Sequence, residues 1–417
     1  MITFSMIVVW IVYLVLLYLI VFWILVFLEN QIVEKEEKIE KFPLVSIVIP
    51  AYNEEKNITD TLKSVINLDY PKNKLEIIVV NDGSKDNTEK IVKNFINEHQ
   101  NYNIKVYTQK NAGKGAALNK AIKISKGEFF TPFDADSVVK KDALKKIIPH
   151  FNNKDVAIVL PLMKVRNPKN FIEKLQWCEY LINLFYKRLM GILDCVSVAP
   201  GPFSVYRKKV LEEVGGFDIN NLTEDLEVTL KIQRKNYKVV QLYSTEVYTK
   251  VPDNFKAFYK QRNRWYKGTM INAFNFKKMA FNKKYGDFGI IQMPRLLLEG
   301  VLVVASFSII LYSQVLNPLI QKINILSKID FNFMFQIKQV ISNFNFLDLE
   351  YANIFLGLAV LILAISLIVF AHKEAKEPLK KHGIISLISY MLLYGMIASI
   401  ILVFVFVDLI RGKVQKW

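Results

Sequence analysis

No charged residue occurs between Met1 and Leu28, and three stretches near the other end of the chain are almost as apolar. At about 1.5 Å of helical rise per residue, the first run is long enough to cross a hydrocarbon layer roughly 30 Å thick. It lacks the basic start and small-residue cleavage site of a secretory signal, so residues 1–28 are expected to form a transmembrane helix. The later runs are Ile290 to Val315, interrupted by Arg295 and Glu299, then Ile354 to Phe370, then Ile384 to Val407. The expected organisation is a linker at 29–42, a soluble domain at 43–250, and a basic, aromatic-rich stretch at the membrane surface at 251–289. Membrane helices follow at 290–315, 353–371 and 384–410, separated by an extracytoplasmic loop at 316–352 and a basic cytosolic loop at 372–383, with a tail at 411–417.

Inside the soluble part the apolar pattern changes period. Val45 to Pro50, Leu75 to Val80, Ile104 to Tyr107 and Glu128 to Phe133 are short β-branched or aromatic runs ended by polar turn residues, which predicts strands. Asn57 to Leu68, Asn87 to Glu98 and Gly115 to Ser125 carry apolar residues at helical spacing. Strands alternating with helices predict a parallel sheet covered on both faces, with ligands bound beyond the carboxyl ends of the strands. Phe171 to Met190 carries an apolar stripe of Phe171, Leu175, Cys178, Ile182, Phe185 and Leu189, which suits either core packing or a helix lying in the membrane surface.

The chain has 417 residues, 52% of them hydrophobic and 13% aromatic, more than a soluble chain needs, and a formal net charge of +17. That charge suits nucleic acid, anionic lipid or an anionic small substrate. The excess of Lys and Arg at Lys277 to Lys284 and His372 to Lys381 places these segments and the soluble domain on the cytoplasmic side. One helix before the domain and three after it would put the basic tail, Arg411 to Trp417, outside, unless Phe331 to Phe346 also enters the membrane. Cys178 and Cys195 give no disulfide framework and no metal-ligand spacing, and none of the four His lies near a motif.

Polar and acidic residues gather where ligands are expected. Tyr52-Asn53-Glu54-Glu55 follows the first strand, Asn81-Asp82-Gly83-Ser84 the second and Asp134-Ala135-Asp136 the fourth. Any one of them alone reads as a turn or helix cap. In an extended loop, Asp134 and Asp136 can direct two carboxylates at one point, as a Mg²⁺ or Mn²⁺ ion held jointly with phosphate oxygens requires. No dinucleotide fingerprint or P-loop follows the first strand, whereas Asn111 to Asn119 places glycines and Lys114 at a helix start that suits an anion.

In order and spacing, "VSIVIPAYNEE", "VVNDGSKDNT", "NAGKGAALN", "FDADS", "APGPFSVYRKKVLEEVGGFD", "TEDLEVTLKIQRKNYKV" and "QRNRWYKG" resemble one family. It is that of the membrane-embedded, processive family 2 glycosyltransferases of GT-A fold, which includes cellulose, chitin, hyaluronan and poly-N-acetylglucosamine synthases. The resemblance covers Val45 to Gly268 and implies an α/β GT-A domain flanked by transmembrane helices. It implies that Tyr52, Glu54 and Asp82 hold the nucleoside and that Lys114 lies near the base or diphosphate. Asp134 and Asp136 would bind the metal and the nucleotide sugar, and Asp225 would be the general base, beside Glu224. Gln261, Arg264 and Trp265 match the Q-x-x-R-W motif, which closes over the diphosphate and lines the acceptor site; Gly201, Pro202 and Phe203 would lie near the acceptor sugar.

Attack of a sugar hydroxyl on an anomeric carbon needs a base opposite the leaving diphosphate. Asp225 opens a helical stretch that Thr223 can cap, so it also suits plain dipole compensation. Arg264 can present paired donors to a diphosphate and Trp265 a flat face to a pyranose, while Lys260, Lys267, Lys277 and Lys278 suit anionic lipid. Arg262 matches no motif position. The expected function is inverting sugar transfer from a nucleotide-diphosphate donor, such as a UDP-sugar, to a growing polysaccharide or to a glycolipid, with membrane lipids as partners and no nucleic acid. Four spanning segments leave room for a second copy or an accessory subunit in an export path. A catalytically silent membrane scaffold is the alternative from another class.

Overall fold

A computed structural model describes residues 4–29, 41–328, 351–379 and 381–413, together with Ile39 and Met334. The expected linker therefore lies largely outside the described residues, as does Phe331 to Phe346 apart from Met334. Two compact units separate: Met1–Asn30 with Glu299–Phe370, and Gln31–Leu298 with Ala371–Trp417.

In the second unit the chain runs β1 (Val45–Ala51), α2 (Ile58–Ile66), β2 (Leu75–Asn81), α3 (Thr88–Glu98), β3 (Asn103–Thr108), α4 (Lys114–Ile124), β4 (Phe129–Pro132), β5 (Val138–Val139) and α5 (Ala143–Ile147). It continues through β6 (Val156–Val165), α6 (Phe171–Ile192), β7 (Val205–Arg207), α7 (Lys208–Glu213), α8 (Glu224–Arg234), β8 (Lys238–Thr249) and α9 (Phe255–Asn275); the N-terminal helix of the other unit is α1 (Phe4–Glu29). The eight strands form one sheet in the order β3-β2-β1-β4-β7-β6-β8-β5.

The first four strands pair in parallel, as the βα alternation predicts, in a register that sets Val45 against Leu75 and Phe129. The sheet as a whole is mixed, because β7 runs antiparallel between β4 and β6, and β5 antiparallel to β8. Strand order turns back between β1 and β4, so the loops after these strands flank a crevice at the topological switch point. On one face Val45, Ile47 and Ile49 pack with Ile58, Leu62, Val65, Val92 and Phe95. The intervening Val48 is also fully buried, and α4 packs on β1 and β2. Apolar surface removed from water on both faces, at about 25 cal/mol per Å², is what holds the crevice rigid.

The amphipathic stripe of α6 is resolved in favour of packing. Asn170 and Glu173 close a capping box at its start. Leu175, Cys178, Phe185 and Leu189 of the stripe are buried, but so are Gln176, Trp177, Glu179, Tyr180 and Leu181 on the other side. The helix lies against β6 and β8 and also against the apolar helix that begins at Ile384. Phe171 alone of the stripe is largely exposed.

Among the described residues, three helices are long and apolar enough to cross a membrane: Phe288–Ile310, Gly357–Glu374 and Ile384–Ile410. Helix α1 adds a fourth apolar segment, and in its own unit Phe27 packs on Phe370 with ring centroids 5.2 Å apart. Where a loop was expected from residue 316, a helix runs through Asn317–Lys328.

Candidate active site

Asp134 and Asp136 leave the end of β4 in a tight turn closed by the Ser137 N–H to Asp134 carbonyl bond of 3.1 Å, not in the extended loop expected. The Ser137 hydroxyl lies 3.0 Å from Asp136 Oδ1 and 2.9 Å from Thr249 Oγ1, which fixes the second carboxylate. Burial pushes Asp136 up to about 6, helped by the like charges of Asp134 and Glu54. Glu54 is itself raised, by burial first and partly through Asp134, while a hydrogen bond from Asn57 opposes the rise. Three carboxylates from two strand ends thus repel one another across the crevice, and a cation would relieve that repulsion.

Lys114, the first residue of α4, supplies one positive charge by donating to Asp134 Oδ1 at 2.5 Å. Burial acts against its charge, but the carboxylates of Asp134, Glu224 and Asp225 outweigh burial and hold the lysine protonated. Gly201 lies directly over this pair: a Cβ there would stand 2.3 Å from Lys114 Nζ and 3.0 and 3.2 Å from the Asp134 oxygens. Gly201, expected near the acceptor sugar, is therefore a close-approach position. Gly201→Ala is expected to displace the ammonium and lower nucleotide-sugar affinity about 10- to 100-fold, the loss of one charge-assisted hydrogen bond of roughly 1.5–3 kcal/mol. Calorimetric titration with the donor checks this, and an unchanged affinity would remove the pair from the donor site.

The remaining loop contacts hold this centre in place. Phe203 adopts a left-handed φ of 60°, is fully buried edge-on to Phe133, and donates its N–H to the Pro132 carbonyl at 2.9 Å. Pro202 carries the chain from Gly201 into that turn. Ala199 N–H donates to Thr229 Oγ1 at 3.0 Å, and the Thr229 hydroxyl donates to the Asp225 carbonyl at 2.6 Å. The Ala199 to Phe203 loop is in this way tied to the helix that bears Asp225.

Asp225 lies in the first turn of α8, half-buried, with Oδ1 accepting from the Leu226 N–H at 2.8 Å. Its neighbour Glu224 is buried and its carboxyl is raised by burial; Lys114 and Arg264 oppose the rise and Asp225 adds to it. Lys187 of α6, which no sequence signal singled out, is lowered to about 8 by burial, against the pull of Asp225. Asp134, Lys114, Glu224, Asp225, Arg264 and Lys187 consequently share one electrostatic centre.

Thr223 does not cap α8 as its position suggested. Its hydroxyl accepts from Asn272 Nδ2 of α9 at 3.0 Å, and Asn272 exchanges amide hydrogen bonds of 2.8 and 3.0 Å with Asn221. Gly268 makes that approach feasible, because a Cβ there would come within 2.3 Å of Thr223 Oγ1 and 2.6 Å of its Cγ2. Gly268→Ala is expected to cost about 1–3 kcal/mol by overpacking, and adding Thr223→Ala should restore part of it. Thermal unfolding of the single and double variants in detergent reads this, and additive losses would contradict the contact.

Helix α9 carries the Gln261, Arg264 and Trp265 motif, and the residue between them proves central. Arg262 is fully buried, ion-paired with Glu179 of α6, and reaches Tyr394 Oη at 3.5 Å. Its Nη1 donates to Gln261 Oε1 at 2.5 Å, and its guanidinium lies 4.3 Å from the Trp265 ring centre and 4.7 Å from that of Phe258. Gln261 and Trp265 are thus both held by the side chain that matched no motif. Lys267, expected on anionic lipid, is instead buried and paired with Asp408 at 2.7 Å, and α9 packs through Phe258 on Ile401 and Val405 of the Gly395–Ile410 helix. Lys260, Lys277 and Lys278 are exposed.

Asp82, expected at the nucleoside, is buried and accepts from Gln109 Nε2 at 2.8 Å, Ala112 N–H at 3.0 Å and Gly113 N–H at 2.8 Å. In this state it shapes the loop that presents Lys114. Tyr52, in the loop after β1, is 43% exposed.

Among the described residues no group of three or more His, Cys, Asp or Glu could hold a metal ion by itself. Asp134 and Asp136 nevertheless offer two carboxylates from one turn, near Glu54, and would fit a divalent cation whose ligand set phosphate oxygens of a donor complete.

Comparison with known proteins agrees with this geometry. Residues 46–215 match the family described as Glycosyl transferase family 2. The chain is 33% identical over 227 residues to the poly-beta-1,6-N-acetyl-D-glucosamine synthase of Staphylococcus epidermidis, an alignment that covers 54% of each protein. It is 31% identical over 262 residues to "Probable glycosyltransferase YdaM" of Bacillus subtilis, covering 61% of this chain and 62% of that protein. In both cases the match spans about half to three-fifths of the relative's length. A mannosyltransferase of Pyrobaculum calidifontis, solved with GDP-Man and Mn²⁺, shares the fold at a TM-score of 0.62 and 16% identity, over 93% of this chain and 97% of that one. Residues 46–215 are therefore a domain similar to family 2 glycosyl transferases, in a GT-A fold, and the chain also carries helices long and apolar enough to cross a membrane.

Proposed function

We propose that the protein is an inverting glycosyltransferase that moves N-acetylglucosamine, or a closely similar hexosamine, from a UDP-sugar to the growing end of a polysaccharide at the cytoplasmic membrane face. The observation that carries this reading is the joining of Asp225, Glu224, Lys114 and Asp134 in one electrostatic centre under the Gly201 loop. The sugar is suggested by the poly-beta-1,6-N-acetyl-D-glucosamine synthase named among the relatives.

In this reading Tyr52 and Glu54 hold the nucleoside, and Lys114 and Arg264 receive the diphosphate. Asp225 takes the proton of an acceptor hydroxyl whose oxygen forms a bond to the anomeric carbon as the bond from that carbon to the diphosphate oxygen breaks. Attack from the side opposite the leaving group inverts the configuration. Lys114 already stands on Asp134 and so meets the charge that grows on the departing diphosphate without moving far. Asp134 and Asp136 would hold Mg²⁺ or Mn²⁺, which when bound neutralises part of that charge. Trp265, with one face against Arg262, is left to stack on an acceptor pyranose, beside Gly201, Pro202 and Phe203. In the same reading the domain lies in the cytosol below several spanning helices, which the lysine-rich segments support, and a second copy or accessory subunit would complete an export path.

Asp134→Ala is expected to weaken donor binding at least about 10-fold in the presence of Mg²⁺ or Mn²⁺, and chelation of the ion should weaken the parent protein to a similar degree. Equal donor affinity with and without a divalent ion would contradict the metal role.

A further inference from the structure

We propose that residues 274–285 form a hook that inserts Phe274 and Phe281 into the headgroup boundary of an anionic bilayer, with Lys277, Lys278, Lys283 and Lys284 on its phosphates. The segment is two single helical turns, Lys277–Met279 and Lys283–Tyr285, between α9 and the apolar helix that starts at Phe288. Phe276 and Met279 point inward and are buried, whereas Phe274 is 62% and Phe281 72% exposed.

Phe281 has a φ of 57°, a left-handed conformation that bulky side chains rarely adopt. Two contacts impose it. The Phe281 N–H donates to the Gly289 carbonyl at 2.8 Å, and Gly289 permits this turn because a Cβ there would stand 2.3 Å from the Asn282 carbonyl oxygen. The fold thus holds an aromatic ring out in a strained turn instead of burying it, which points to something outside the chain that covers the ring.

The charge identifies the partner. Four lysines and no carboxylate lie between Phe274 and Gly286, and among the described residues none of the four is ion-paired. Lys277 instead sits 3.8 Å from the Phe274 ring centre. Exposed aromatics among lysines, seven residues before an apolar helix, match the pattern of segments that lie in a lipid interface. The proposal rests on the Phe288–Ile310 helix crossing the bilayer, as the proposed function holds.

The test uses the full chain in lipid nanodiscs, with a polarity-sensitive fluorophore on Phe281→Cys or, separately, Phe274→Cys; Cys178 and Cys195 are buried and do not compete. In discs containing phosphatidylglycerol, both labels should emit at shorter wavelength and lose most of their fluorescence to lipids carrying a quencher near the headgroup. In purely phosphatidylcholine discs, and in Lys277→Gln/Lys278→Gln/Lys283→Gln/Lys284→Gln, that loss should shrink. A label at Val301→Cys, quenched only by deep probes, checks separately that the following helix is inserted. With Val301 labels quenched, water-like emission at both aromatic positions, or quenching equal in anionic and neutral discs, would overturn the proposal.

Discussion

Asp225→Asn is expected to lower sugar transfer by about 10²- to 10⁴-fold, the usual contribution of a positioned base, while donor affinity stays the same. The substitution keeps shape and the hydrogen bond from the Leu226 N–H but removes the basic oxygen. Because the Asp225 carboxylate also helps hold Lys114 and Lys187 protonated, a modest downward drift in the affinity for the anionic donor as the pH rises would fit the same geometry. Single-turnover assays with saturating donor separate the two effects. Turnover close to that of the parent would remove Asp225 from the base role, and parallel losses of binding and turnover would make it a structural residue of α8.

The largest loss of stability is expected from Arg262→Met. Its guanidinium is fully buried, and removing it leaves Glu179 as an uncompensated buried carboxylate, a change that costs about 3–5 kcal/mol. Arg262→Met/Glu179→Gln should recover much of that loss, since no charge is then left alone. Arg262→Lys keeps the charge but loses the fork that reaches Gln261, Glu179 and the Trp265 face together, so it should fold and yet transfer poorly to an acceptor. Thermal unfolding together with transfer assays checks the series. A single variant no less stable than an exposed lysine substitution such as Lys278→Gln would contradict the buried pair.

The strands at 45–51, 75–81, 103–108 and 129–132 and the helices between them were legible, because each short apolar run ends in turn residues and each helix keeps one buried stripe. The mixed sheet was not. Its antiparallel pairings involve Val205–Arg207 and Val138–Val139, three and two residues long, too short for a period to show, and set by tertiary contact alone. The acidic clusters at the strand ends were visible as residues, and their convergence followed from the parallel half of the sheet.

Cations were harder to place. Arg262 and Lys267 stand in a stretch that looks like a solvated basic face, yet their partners Glu179 and Asp408 are 83 and 141 positions away. Glu179 itself sits on a side of α6 that its stripe assigned to solvent, because the stripe could not foresee a second layer of helices covering that side. Gly201 and Gly268 were open to misreading for a related reason: a glycine needed for close approach looks in sequence like any other breaker until the facing group, here Lys114 or Thr223, is known.

The central claim is tested most directly by supplying radiolabelled UDP-N-acetylglucosamine, UDP-glucose, UDP-glucuronate and GDP-mannose in turn, each with Mg²⁺ or Mn²⁺, to purified protein in lipid vesicles, with Asp225→Asn as the blank and products separated by size. The account predicts a long product from UDP-N-acetylglucosamine that is absent from the blank. No Asp225-dependent product from any of these donors would contradict it.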